Sequence, residues 1–413
     1  MELAIVPHLR HAFRSEVSAD PVRELLAAAV EQTAVEMLDP ELILALAEDM
    51  RIARRKRVHH AGLVINSLIL SALQRSTDTQ GRWLDAQRTY EMLGGKRSGA
   101  TSFVNQGRKL VPVMHRMLRR RLGKLAARAD DAELRGRLQH FRDVLIPDGC
   151  AFKVAKALSG VYAGTGTDAE LKLHAIYSVG AGGCVAVERS AGSMHDSDGL
   201  HPEHWEAGVL YIWDLGYNGY DRVAEAALAG AHVLQRLKDG ANPIALASYG
   251  PTGARRELVH DDGKPLRLTD ACTYQWVHRQ RILDLDVLIK GDQDRSIIAR
   301  VVCVPFGGED RYYLTTLPRS IFTPYDVAEL YRVRWEVERF FRGWKGALRL
   351  DEVRRLENAK SLDAAVTASL LAAALAHDLT VIVNDLAEQQ AAAERAAIPP
   401  CAADRSGRAT TRC

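Results

Sequence analysis

Apolar residues recur at helical spacing through the first third of the chain. PELILALAEDMRIARRKRV (40–58), AGLVINSLILSALQRS (61–76) and SFVNQGRKLVPVMHRMLRRRLGKL (102–125) predict a helical region from residue 1 to about 140. The pattern then changes. DVLIPDG, LKLHAIYSV, CVAVERSAG, VLYIWDLG and AHVLQRLK are short apolar runs bounded by Gly, Asp or Ser, which is the signature of strands. One helix, YDRVAEAALAG, falls between the last two. Three strands in succession, followed by strand, helix and strand, predict a mixed α/β sheet over 141–239. Further strand-like pieces, PLRLTDA, DVLIKG, SIIARVVCVPF and RYYLTTLP, occupy 240–320. Helices return at 324 and run to about 395. The tail from 396 to 413 has little apolar content and is expected to be disordered.

Composition narrows the class. Of 413 residues, 47% are apolar and 26% charged, ordinary values for a globular protein, and the net charge is only +3. Any nucleic-acid surface must therefore come from local clustering. Two basic clusters stand out: Arg51, Arg54, Arg55, Lys56 and Arg57, and the run from Arg108 to Lys124, which has no acidic residue inside it. Each alone reads as solvated helix surface. Two in one helical region raise the expectation of phosphate contacts, because affinity grows with the number of phosphates neutralised. The six cysteines form no C-x-x-C pair, which argues against a zinc or redox motif and for reduced thiols. The N-terminal apolar run is too short for a signal peptide. In AAVTASLLAAALAHDLTVIV (364–383), His377 and Asp378 interrupt the apolar stretch, so a buried helix is expected rather than a membrane span.

The segment YRVRWEVERFFRGWK (331–345) is expected to form one helix. At 100° per residue, Tyr331, Arg334, Glu338, Phe341 and Lys345 share a narrow arc, beside an apolar face of Val333, Val337, Phe340, Trp344 and Leu348. Spacing alone allows a plain surface pair, Arg334 with Glu338, worth about 0.3–0.5 kcal/mol. A functional reading needs further carboxylates, since a hard divalent cation takes several oxygens. Asp148 follows VLIP and Asp214 follows VLYIW, both at strand ends where sheet-rim sites form. Either could equally be a turn former.

The spacing Tyr331-x2-Arg334-x3-Glu338-x6-Lys345 resembles the Tyr-Arg-Glu-Lys signature of DDE transposases from bacterial insertion sequences, in the insertion-sequence-4 branch. YIWDLGYNGYDRVAEAALAGAHVLQRLK is similar to that family's second-Asp segment, and LIPDGCAFKV to its first; the resemblance covers roughly 50–380. Cys150 and Leu215 depart from the residues usual after the two acids, without removing a carboxylate.

The resemblance implies a ribonuclease-H-like, mixed five-stranded sheet with helices on both faces and a β-rich insertion. Asp148 would be on the first strand, Asp214 at the fourth and Glu338 on a late helix, 124 positions after Asp214. The implied layout is a helical, DNA-binding domain (1–140), a first part of the catalytic core (141–239), a β insertion (240–320), a second part carrying Glu338 (321–360) and C-terminal helices (361–395). The implied chemistry is two-metal phosphoryl transfer. Asp148, Asp214 and Glu338 would hold two Mg²⁺ ions, with Mn²⁺ as a substitute. Tyr331, Arg334 and Lys345 would hold terminal phosphates. Outside the resemblance, Trp335 is angularly close to Tyr331 and is either a surface for an extruded base or a packing residue. The implied partners are double-stranded DNA, as transposon ends and target, and a second copy of the chain. The setting would be cytoplasmic and nucleoid-associated, with no membrane. A catalytically silent DNA-binding derivative and a nuclease without strand transfer are the rival readings. In MHDSDGLHPEH, His195, Asp196, Asp198 and His201 suggest a loop, with Asp196 as the substitute carboxylate; His174 reads as structural, and Asp143 as lying at the far end of the first strand.

Overall fold

A computed structural model describes residues 37–52, 59–73, 79–129, 132–199, 204–217, 219–250, 252–260, 262–273, 282–291, 295–348, 353 and 355–397. Most of the first basic cluster, His201 and the C-terminal tail lie outside the described residues. Helix α1 (Pro40–Asp49) begins where Asp39 caps it: its side chain accepts from the backbone N–H groups of Glu41 and Leu42, and Pro40 takes the first turn. Helix α2 (Ala61–Leu73) is buried over most of its surface. It crosses α1 so closely that a Cβ on Gly62 would lie 2.2 Å from the Pro40 carbonyl oxygen, so only glycine fits.

Helices α3 (Thr79–Met92), α4 (Ala100–Lys109) and α5 (Val111–Ala129) follow, and the long α10 (Ala359–Ala397) packs against α2, α4 and α5. The 364–383 stretch lies in α10, within a segment, Ala359–Asn384, that is apolar and long enough to cross a membrane by composition alone, yet most of it is buried against these neighbours.

The docking of α10 engages part of the second basic cluster. Arg108 donates to the Ser361 hydroxyl at 2.7 Å, and Arg82, from α3, donates to Ser369 at 2.6 Å. His115 meets Asp363 and Thr367, Arg189 joins the same group, and Arg121 pairs with Asp378, which is 1% exposed. Burial and the neighbouring Arg189 push the His115 imidazole down to about 4, so it is neutral at physiological pH. Arg82, Arg108 and Arg121 thus hold helices together, and Arg189 ties β3 to α10. Arg119, Arg120 and Lys124 remain on the surface.

The strands are β1 (Val144–Lys153), β2 (Glu170–Ser178), β3 (Gly183–Ala191), β4 (Leu210–Trp213), β5 (His232–Arg236), β6 (Ile244–Tyr249), β7 (Arg255–Glu257), β8 (Leu266–Arg267), β9 (Leu283–Lys290), β10 (Ser296–Phe306) and β11 (Glu309–Thr315). They form one mixed sheet in the order β3-β2-β1-β4-β5-β11-β10-β9-β6-β7, with β8 on β6. β1, β4 and β5 are mutually parallel; the other pairings are antiparallel. The 240–320 strands therefore continue the sheet of the preceding region, because β11 pairs with β5. PLRLTDA supplies only the two-residue β8 before turning into α7 (Leu268–Thr273).

Alternation along the strands explains why β4 is apolar at every position. Leu210 and Ile212 face a core shared with the helices, whereas Tyr211 and Trp213 face a second core with α6 (Tyr220–Leu228) and the β9–β10 strands. Asp143 anchors the start of β1. Its carboxylate accepts from the Val144 and Gly180 amides and from the Ser178 hydroxyl, five residues or about 17 Å of strand before Asp148. At the β-rich end, Arg300 makes a two-pronged bond to Asp284 and donates to the Phe322 carbonyl, while Arg319 bonds Asp284 and Asp286 and stacks on Tyr249. This network fixes the connection that leads from β11 into α8 (Pro324–Tyr331).

Candidate active site

Strand register brings two of the three acids to one rim. Leu145 of β1 is level with Tyr211 of β4. Three residues further on each parallel strand come Asp148 and Asp214. Adjacent strands run about 4.8 Å apart, so the two carboxylates start from neighbouring positions. Asp148 is half-buried, and its Oδ1 accepts from the Gly149 amide at 2.8 Å. Burial raises its pKa from 3.8 to about 6; Gly149 and Arg334 oppose the rise, while Asp214 and Asp196 add to it.

The third acid arrives on helices. Thr323 and Asp326 form a capping box that starts α8. A 3₁₀ turn over Arg332–Arg334 separates α8 from α9 (Trp335–Leu348), so the segment from 331 to 345 is two helices joined by a tighter turn, not one. Tyr331 ends the first helix and donates to Asp214 Oδ1 at 3.2 Å. Burial, reinforced by Asp214, pushes its phenol well above the ordinary range.

Arg334 links the acids. Its Nη1 is 3.6 Å from Asp214 Oδ2 and its Nη2 donates to Glu338 Oε1 at 2.5 Å. Only 13% of the Arg334 side chain is exposed. The helical i,i+4 pair does form, but the same guanidinium also reaches a residue 120 positions upstream. Burial disfavours its charge, and Asp214, Tyr331 and Glu338 outweigh that, raising its pKa. Val337 and Phe341 are buried in the helix-facing core, and Phe340 packs on Tyr177. Phe341 thus leaves the polar arc. Trp335 is 54% exposed. Lys345 lies on α9, with its side chain outside the described residues.

Asp196 completes the acidic group. Its Oδ1 is 2.4 Å from where a Cβ on Gly149 would be, and its Oδ2 is 3.1 Å from where one on Gly216 would be. It thus lies against the residue after Asp148 and the turn after Asp214, and pairs with Lys172 of β2 at 3.0 Å. The sequence signal was the pair of glycines, each next to or near an acid, which read only as turn chemistry. Tyr217, fully buried, has its phenol pushed far up by burial and by Asp148 and Asp196. His174 is buried, with Nε2 at 2.7 Å from the Ser190 hydroxyl.

This acid rim lies inside a segment that similarity defines. Residues 139–375, more than half of the chain, match the transposase DDE domain family. The chain belongs to that family. The transposase for insertion sequence element IS231B of Bacillus thuringiensis subsp. berliner is 22% identical over 251 residues, 52% of this chain and 51% of that protein. The chain therefore spans about half the length of this curated relative. Among solved structures, piggyBac transposase in a synaptic complex with hairpin DNA aligns over 94% of this chain and 76% of that one, at 9% identity and a TM-score of 0.40, too distant for an argument from shape.

DDE domains in general use divalent metal ions. Among the described residues no three His, Cys, Asp or Glu side chains are drawn close enough to enclose an ion. The donor chemistry nevertheless fits a hard cation. Asp148, Asp214 and Glu338 offer carboxylate oxygens alone, and a cation would relieve the desolvated charge on Asp148. The Arg334 guanidinium stands between Asp214 and Glu338 as their counter-ion.

Proposed function

We propose that this DDE-family chain is an insertion-sequence transposase that cuts transposon ends and joins them to target DNA. The single observation that carries the reading is the convergence on Arg334. One guanidinium contacts Asp214 and Glu338 and acts electrostatically on Asp148. Support for a ribonuclease-H-like core comes from the order β3-β2-β1-β4-β5 with β1, β4 and β5 parallel. Support for the Tyr-Arg-Glu-Lys branch comes from Tyr331, Arg334 and Glu338 all meeting at this rim.

In this reading Asp148 and Asp214 would hold one Mg²⁺ and Asp148 with Glu338 the other; Mn²⁺ would serve as a substitute. Bound there, such ions would supply Lewis-acid stabilisation of the attacking and leaving oxygens. Asp148 must be ionised to take part, and burial holds its pKa up at about 6. Tyr331 fixes Asp214 by its hydrogen bond. Arg334, released from the carboxylates, turns its planar fork of donors to a phosphate, with Lys345 as a point charge alongside. Trp335, being exposed, offers its face to a base drawn out of the duplex. Water attacks first, and the freed 3′-hydroxyl then attacks the target or the opposite strand, so no protein nucleophile is needed. The chain acts as a homodimer in the DNA complex, on nucleoid DNA in the cytoplasm. The helical part from 1 to 140 contributes DNA contacts through Arg119, Arg120 and Lys124, the 240–320 strands form the insertion, and 321–395 supplies Glu338 and the C-terminal helices.

The test is a nicking and strand-transfer assay on DNA bearing the element's ends, with magnesium and an Asp148→Ala control. Joined products lost in Asp148→Ala support the reading. Joined products undiminished in Asp148→Ala remove that residue from the chemistry. Nicks without joined products leave a nuclease.

A further inference from the structure

A cavity of about 600 Å³ opens beside the acid rim. One wall is the turn after Asp214, with Leu215 and Tyr220. Another is the turn after β5, with Lys238. The third is β8–β9, with Arg267 and Lys290. Lys238 follows β5 much as Asp214 follows the neighbouring parallel β4, so the cavity continues the same carboxyl-end edge of the sheet.

Its charge is one-sided. Three cations face Asp239 as the only acid in the lining. Arg267 donates to the Asn242 carbonyl at 3.2 Å, while the Lys238 and Lys290 ammonium groups have no hydrogen bond or ion pair with a described residue. This contrasts with Arg121, Arg300, Arg319 and Arg334, all tied to carboxylates. A concave site with unneutralised cations concentrates polyanions. At about 600 Å³ the cavity is too small for a whole B-DNA duplex, whose major groove alone is roughly 12 Å wide and 8.5 Å deep. A single strand fits, with a flat base against Tyr220 and Leu215.

We propose that this cavity receives unpaired nucleotides of the DNA strand that runs past the reacting phosphate, with phosphates at Lys238 and Lys290. The inference rests on the reading of Asp148 and Asp214 as the cleavage centre. It adds that the strand is separated from its complement on the β-rich side of that centre.

The experiment uses the full chain in EDTA and two fluorescent probes: a duplex with a short single-stranded overhang and a blunt duplex of equal length. Binding is followed by anisotropy across a salt series. The wild type prefers the overhang. Lys238→Glu/Lys290→Glu loses about tenfold on the overhang probe, and its log–log salt slope falls by about one to one and a half, as two single-strand phosphate contacts require. Blunt binding is unchanged. The milder Lys238→Gln/Lys290→Gln shows the same selectivity with a smaller loss, and guards against misfolding of the reversed variant. No overhang preference in the wild type, or equal losses on both probes, overturns the proposal. Magnesium-dependent nicking by the wild type is scored in parallel on DNA bearing the element's ends. Its absence refutes the cleavage reading, whereas the overhang preference is judged in EDTA without it.

Discussion

Replacing Asp148 by Asn tests whether the rim acid is as desolvated as its surroundings imply. The Asp148 carboxyl keeps its proton to about pH 6, against 3.8 for an ordinary aspartate. A gap of about two pH units, at about 1.4 kcal/mol each, amounts to about 3 kcal/mol. The folded state binds this proton more tightly than the unfolded chain. The stabilisation is therefore complete below pH 3.8 and is lost as pH rises through about 6. Asn at 148 cannot titrate, while every other acid is shared by the two proteins. The wild-type unfolding free energy minus that of Asp148→Asn should thus fall by about 3 kcal/mol between pH 4 and pH 7, measured by urea denaturation at matched pH. A difference that stays flat across that range would refute the desolvation argument. Magnesium competes for the same oxygens, so millimolar Mg²⁺ at pH 7 should stabilise the wild type and leave Asp148→Asn unchanged.

Gly149→Ala should destabilise by about 1–3 kcal/mol because the new Cβ displaces Asp196, and adding Asp196→Ala should recover about 1 kcal/mol or more in a double-mutant cycle. Asp284→Ala should lower stability by about 3–5 kcal/mol, since Arg300 is 4% exposed and would be left as an unpaired buried charge; thermal melting reads this. Arg334→Met removes the cation that, after the Gly149 amide, holds the Asp148 pKa down, so the midpoint of the pH profile described above should move above 6.

The strands and the rim acids were legible because they depend on local pattern. VLYIW is apolar throughout since β4 has a core on each face, and an acid just past such a run has only the sheet edge to occupy. The break between α8 and α9 was not legible, because Arg332 and Trp335 keep helical backbone angles and the apolar period barely shifts. The destination of the basic cluster was hidden for another reason. Ser361, Asp363 and Asp378, which its side chains meet, lie some 250 residues away, and charge density along a helix does not say what it faces. Asp196 was legible only as a substitute, because its contacts with Gly149 and Gly216 come from loop closure. Pairing of β11 with β5, which merges the 240–320 strands into one sheet, likewise joins segments about 80 positions apart.

The central claim is that Asp148, Asp214 and Glu338 jointly bind divalent cations at the sheet rim. Anomalous diffraction from crystals soaked in Mn²⁺ tests it most directly. The account predicts manganese peaks touching Asp148 and Asp214, with Glu338 turned from Arg334 toward the ions. Manganese elsewhere, or a Glu338 still bonded to Arg334 with no ion at the two aspartates, would contradict it.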